Sequence, residues 1–342
     1  MRGEIMENFL VLDDKRIQLP SGVFAGVEKY SRYPDGELEG VRLSERNMLV
    51  THAGELVPFY SETTRRKMKH SVGFYKSGAV RSVSLEEQQE ILTPIGEFPA
   101  ELATFYESGE LKRFFPLDGK ISGFWTEEEE QALAIPFTFD LPFSVFTAAI
   151  SGVGFYKNGN IRSVTLFPKE RVVINTQYGA IAARIGFSMH PGGELASLEP
   201  AGPAAVTTPV GRLYAFDADA IGVNADTNSL TFDTSGEVTG LKTVQNRVSV
   251  QTPGGQLVTF GPVTRVSPLD DDDTVTLALS VAFGPESVTL TESGSAARTF
   301  LLAECGFTVT DAAGPAGAYG CPPAACAACS LCAGGAEPAF EV

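Results

Sequence analysis

The sequence predicts a mainly β protein: an elongated antiparallel sheet or solenoid of consecutive β-hairpins, with a short helix near 126–134 and a flexible C-terminal tail. Three observations predict it. First, the stretch 72–85, carrying Phe74-Tyr75-Lys76-Ser77-Gly78, returns almost unchanged at 153–166 with Phe155-Tyr156-Lys157-Asn158-Gly159. Each copy reads as one hairpin: an aromatic pair ends a strand, a polar-Gly corner turns the chain where positive φ is needed, and alternating aliphatics follow. Second, about a dozen such glycine corners recur between Gly36 and Gly255, which is self-similarity rather than chance turn chemistry. Third, Phe 23 against Trp 1 and Tyr 9, with Gly 35 and Pro 21 spread along the chain, describes an aromatic β core cut into short strands.

Taken in order, residues 9–12 and 23–27 read as two short strands. The corners then begin: Asp35-Gly36, Ala53-Gly54, Ser77-Gly78, Ile95-Gly96, Ser108-Gly109 and Asp118-Gly119, and later Asn158-Gly159, Tyr178-Gly179, Gly192-Gly193, Val210-Gly211, Ser235-Gly236 and Gly254-Gly255. A higher order relates the two halves. Gly36-Glu37-Leu38 matches Gly236-Glu237-Val238, and the near-identical hairpins lie inside that outer pair. The apolar run 132–150 contains Pro136, Asp140 and Pro142, so it reads as buried strands and not as a membrane helix. At 126–134 Thr126 and Glu129 form a capping box, Glu127 to Glu130 suit the positive end of the helix dipole, and Pro136 stops the helix. This reads as a surface helix, with an acidic docking site as the alternative. Beyond 260 the corner signal fades. A strand over 274–283 and further strands over 287–290 and 297–309 read as a cap on the sheet edge. The organisation expected is a hairpin-repeat domain over 1–265 with halves near 30–121 and 150–260, a β cap over 266–310 and a Cys-rich tail over 311–342.

A net charge of −16 argues against nucleic acid and anionic membranes, whose binding needs Lys/Arg patches. Glu7, Asp13 and Asp14 follow the first residues closely, no secretory signal is read there, and a cytoplasmic location is expected whether the chain starts at Met1 or Met6.

Candidate chemistry concentrates in the tail. Cys321, Cys326, Cys329 and Cys332 bring four thiols together, and such spacing lets several thiolates meet one zinc ion or iron–sulfur cluster. Free reactive thiols and disulfides remain open, the latter disfavoured in a reducing compartment. Cys305 reads as a small core residue in an apolar strand. The aspartates at 270–273 lack the spaced pattern of a calcium loop and read as a solvated turn. His52, His70 and His190 form no metal-spaced pair, and none of the common Ser- or Cys-centred triad motifs is present. The basic run 65–69 reads as a solvated loop, with contact to a carboxylate or phosphate partner as the alternative.

The corners Phe74-Tyr75-Lys76-Ser77-Gly78, Phe105-Tyr106-Glu107-Ser108-Gly109, Leu117-Asp118-Gly119-Lys120-Ile121-Ser122-Gly123-Phe124-Trp125 and Phe155-Tyr156-Lys157-Asn158-Gly159 resemble the MORN-like repeat families of bacteria, including those often labelled antitoxin components of toxin–antitoxin systems. The likeness is tightest over 103–125 and spreads over 30–260, where turn spacing is irregular and aliphatics replace many repeat aromatics. It implies an elongated sheet of hairpins that binds or scaffolds another protein without chemistry of its own. The expected function is therefore a non-enzymatic interaction scaffold. The alternative is a metal or iron–sulfur protein that uses the tail thiols, with the sheet as docking body. A third reading, carbohydrate binding along an aromatic face, would use Tyr75 and Tyr156.

Overall fold

The computed structural model of the chain describes residues 10–13, 15–66, 70–119, 121–220, 228–266 and 274–312. Cys321, Cys326, Cys329 and Cys332, the aspartates at 270–273 and residues 67–69 of the basic run lie outside the described residues. The protein is mainly β, and most strands join one large antiparallel sheet. Its pairings run from Val27–Arg32 at one end to Arg298–Leu301 at the other, and no pairing joins those two end strands among the described residues.

The sheet is a succession of hairpins. Val27–Arg32 pairs with Leu38–Leu43, Val72–Phe74 with Val80–Thr93, Gly96–Phe105 with Leu111–Phe115, Ser144–Phe155 with Ile161–Leu166, Gly179–Met189 with Leu195–Pro200, and Leu230–Phe232 with Val238–Thr243. Each hairpin pairs with the next through its second strand. One turn chemistry recurs at their corners. The residue before the turn (Tyr33, Tyr75, Tyr106, Tyr156, His190 or Asp233) donates its N–H to the carbonyl four residues on, and accepts from the N–H of the glycine three residues on. That glycine has positive φ every time, from 81° at Gly78 to 108° at Gly36, so the corners predicted from glycine are where the left-handed backbone demands it. The same one-residue register shift sits just before each turn.

A second set of turns alternates with the first. Thr51, Thr93, Thr176 and Thr208 each donate Oγ1–H to the carbonyl of the glycine three residues on, over 2.6–3.0 Å, closing tight tips at 51–54, 93–96, 176–179 and 208–211. These tips cap the segments between hairpins and fold back over the sheet. Strand alternation explains why they do so. One face carries Val41, Val72, Val83, Ala103, Phe114, Val153, Val164, Phe187 and Leu198, all fully buried. The folded-back segments supply the rings that cover it. Phe98 lies 5.3 Å from Phe114, and Phe146 meets Phe187 edge-on at 5.8 Å. The opposite face carries Gly40, Gly73, Ser82, Gly154, Ser163, Ser188 and Ser197 at the paired positions.

Several expectations need correction. Asp118-Gly119 is not a hairpin corner, because carboxylates of Glu101 and Glu130 capture the two backbone amides at 2.7 and 2.9 Å. The segment 132–150 does form strands, Pro136–Leu141 and Ser144–Phe155, and the second runs straight into the repeated hairpin. The helix spans Glu127–Gln131 with the capping box formed, and is shorter than 126–134. The strand expected over 274–283 breaks at Ala278: Thr274–Leu277 pairs with Val263–Val266, while Leu279–Phe283 joins the main sheet. That expected over 297–309 breaks into Arg298–Leu301 and Gly306–Asp311. Cys305 therefore sits after a turn, partly buried against the core edge.

Candidate functional site

The corner residues do more than turn the chain. The Tyr33 hydroxyl donates to the carbonyl of Phe74, Tyr75 to Phe105, Tyr106 to Phe155 and Tyr156 to Met189, each at 2.8 Å. His190 continues the series, its Nε2 lying 3.0 Å from the carbonyl of Phe232. Each accepting carbonyl belongs to the residue just before the next corner. Every phenol thus ties its hairpin to the following one. Tyr75 and Tyr156, the residues of the carbohydrate reading, are committed to these ties. The Lys157 ammonium sits 5.4 Å from the Tyr106 ring centroid, which adds a cation–π contact along the row.

The strongest charges are withdrawn from solvent. Arg65 forms paired hydrogen bonds of 2.7 and 2.9 Å to Glu101 and of 2.8 Å to both oxygens of Glu130. Arg66 adds a 3.1 Å contact to Glu101 and donates to the carbonyl of Leu85. Trp125 Nε1 donates to Glu130 at 2.6 Å. Burial would push the Arg65 guanidinium down, but the two carboxylates outweigh it and raise it above its usual range. Burial would likewise raise Glu130, yet the hydrogen bonds from Arg65 and Trp125 hold it below the ordinary carboxylate range. The basic run is therefore no solvated loop at Arg65 and Arg66, and one of the helix glutamates is a core ion. The pairings span 36 and 65 residues, so local reading could not find them.

A second buried carboxylate has a different setting. Glu199 is 1% exposed, and its Oε2 accepts the N–H of Ser229 at 2.8 Å. Arg184 approaches its other oxygen only to 3.7 Å. Burial pushes the Glu199 carboxyl upward.

Ser31 Oγ lies 2.9 Å from His70 Nε2 and 3.2 Å from Glu39 Oε2. Here the hydroxyl stands between imidazole and carboxylate. Nucleophilic activation needs the imidazole in the middle, oriented by the acid from its far side. The His70 ring instead packs against Gly40, where an added Cβ would stand 2.5 Å from its Cγ and Nδ1. Neither His52 nor His190 is drawn into a cluster; both serve hairpin corners.

A groove of about 990 Å³ lies between the tip at 141–144, the tip at 176–179 and the corner at 233–236. Leu141, Pro142, Phe143, Val145 and Leu195 supply its apolar surface, and Asp140 and Glu194 are its ionisable groups among the described residues. One sequence signal marks it. The tip Leu141-Pro142-Phe143-Ser144 lacks both the threonine and the glycine of the other tips. Among the described residues no group of three or more His, Cys, Asp or Glu side chains is placed to hold a metal, and no helix is long and apolar enough to cross a membrane. No family model, curated protein or solved structure matches the chain.

Proposed function

We propose that the chain is a non-enzymatic binding module, an elongated solenoid of β-hairpins that presents its surface to another protein in the cytoplasm. One observation carries this reading: the same corner, the same register shift and the same tyrosine-to-carbonyl tie recur from hairpin to hairpin. A structure that repeats one join extends a surface, as solenoids do when they build binding faces. The MORN-like resemblance of the corners points the same way. The use of charge supports it further. Arg65 and Arg66 neutralise Glu101 and Glu130, and the groove beside the tip at 141–144 carries two carboxylates on its rim.

The test is quantitative cross-linking of the tagged full chain in lysate of its source cells. The expected result is a saturable protein partner whose cross-links map to the sheet and its tips. Turnover of any substrate in a hydrolase and transferase panel, with no saturable partner, would overturn the reading.

The thiol spacing Cys321-x4-Cys326-x2-Cys329-x2-Cys332 favours a second reading, a zinc or iron–sulfur protein docked through its β body. Anaerobic purification with metal analysis and visible absorption tests it. Bound metal that is lost in Cys326→Ser supports it, and a metal-free chain rules it out.

A further inference from the structure

The tips follow a rule. Each passes over the next hairpin corner and lands on the one after it. The tip at 51–54 reaches Gly109, where an added Cβ would stand 3.1 Å from the His52 ring. The tip at 93–96 reaches Gly159, 3.2 Å from Pro94 by the same measure. The tip at 176–179 reaches the corner of Gly236: Gln177 donates to its carbonyl at 2.7 Å, and Tyr178 donates to Glu237 at 2.9 Å. By this rule the tip at 141–144 should land on Gly193. It does not, for a Cβ on Gly193 would meet no atom within 4 Å. The groove of about 990 Å³ opens beside this unclosed join.

The gap has its own chemistry. The unclosed tip offers Pro142 and Phe143 at the places held by His52 and Ala53, Pro94 and Ile95, or Gln177 and Tyr178 in the sealing tips. Leu195 continues the apolar surface. Asp140 and Glu194 are exposed, and among the described residues no Lys, Arg or His lines the groove. Val145 is 69% exposed on the same wall. A groove that mixes apolar side chains with neutral polar ones, and whose only charges among the described residues are the carboxylates of Asp140 and Glu194, is complementary, on a chain of net charge −16, to a basic segment that carries apolar side chains.

We propose that this groove is the docking site for an extended peptide segment of a partner protein, with Lys or Arg residues flanking one or two large apolar anchors. The inference rests on the binding-module reading and deepens it by naming the partner's chemistry. The apolar anchors pack on Leu141, Phe143, Val145 and Leu195, the partly buried or exposed apolar residues of the groove, and the cations meet Asp140 and Glu194 at the rim.

The probe is a fluorescein-labelled heptapeptide in which lysine alternates with leucine and phenylalanine. Its counterpart has glutamate for lysine. Both are titrated against the full chain by anisotropy. The lysine peptide should bind saturably and the glutamate peptide should not. Each exposed rim ion pair contributes a few-fold to affinity, so Asp140→Lys/Glu194→Lys should weaken binding about tenfold. Val145→Trp, which narrows the channel at an exposed strand position, should weaken it comparably. Glu286→Lys/Glu304→Lys makes the same charge change on exposed residues elsewhere and should leave affinity within about twofold. Equal binding of both peptides, equal loss in both charge-reversal proteins, or no saturable binding overturns the groove assignment. A captured protein partner whose affinity survives Val145→Trp refutes the groove alone, whereas the lack of any partner in the cross-linking experiment refutes the module reading itself.

Discussion

Arg65→Met is the sharpest test of what the buried cluster of Arg65, Glu101 and Glu130 contributes to the fold. The substitution keeps most of the aliphatic stem and removes the guanidinium that bonds both oxygens of Glu101 and both of Glu130. Two carboxylates, each about 5% exposed, are left facing one another. Removing one partner of a buried ion pair costs about 3–5 kcal/mol. Some compensation remains here. Glu101 keeps Arg66 at 3.1 Å and the Asp118 amide at 2.7 Å, and Glu130 keeps Trp125 at 2.6 Å and the Gly119 amide at 2.9 Å. The expected loss is therefore at the lower end, about 3 kcal/mol, or roughly 4–5 °C in Tm for a chain of this size. Urea unfolding followed through Trp125, the single tryptophan, reads the cluster directly. The pH dependence has a definite sign. Glu130 is held below its ordinary range in the folded protein, so its contribution is present above the unfolded value near 4.3 and is lost as pH falls through the depressed folded value. The difference between wild type and Arg65→Met should thus shrink from neutral pH toward pH ~3. A loss below about 1 kcal/mol, or a difference that stays constant over that range, would refute a structural role for the cluster.

Tyr106→Phe removes one tie, the 2.8 Å bond to the Phe155 carbonyl, and should cost about 1 kcal/mol by urea denaturation with an unchanged m-value. Glu199→Gln should act in the opposite direction. Burial raises the Glu199 carboxyl, so its ionisation opposes folding above the unfolded pKa; the variant should be more stable than wild type at pH 7 and lose that advantage at about pH 4, as thermal melts across pH would show.

The corners were legible in the sequence because their cause is local. Gly78 and Gly159 have φ of 81° and 88°, conformations that only glycine adopts freely, and each is announced by the tyrosine three residues before it. Asp118-Gly119 has the polar-Gly pair but Pro116 in the place of the tyrosine, and it makes no corner; glutamates 17 and 11 residues away bind its amides. The same nonlocal pairing hid Arg65 and Arg66 inside what reads as a polar loop. The break at Ala278 was hidden for another reason. Alternation continues through Thr274 to Phe283, and only the change of pairing partner splits the segment. The groove was half legible: the odd tip at 141–144 stands out once the Thr-x-x-Gly tips are aligned, but the corner it fails to reach is set by tertiary packing.

Because the tips at 51–54, 93–96 and 176–179 each bridge one hairpin and land on the next but one, the units overlap there like roof tiles instead of abutting like bricks. Cutting the row between hairpins would therefore separate such a tip from a landing place that lies beyond its nearest neighbour. The last tip, at 208–211, shows how the overhang is resolved: Val309, on strand Gly306–Asp311, stands 3.0 Å from where a Cβ on Gly211 would be. A strand that returns from the far end of the chain acts as the ridge piece.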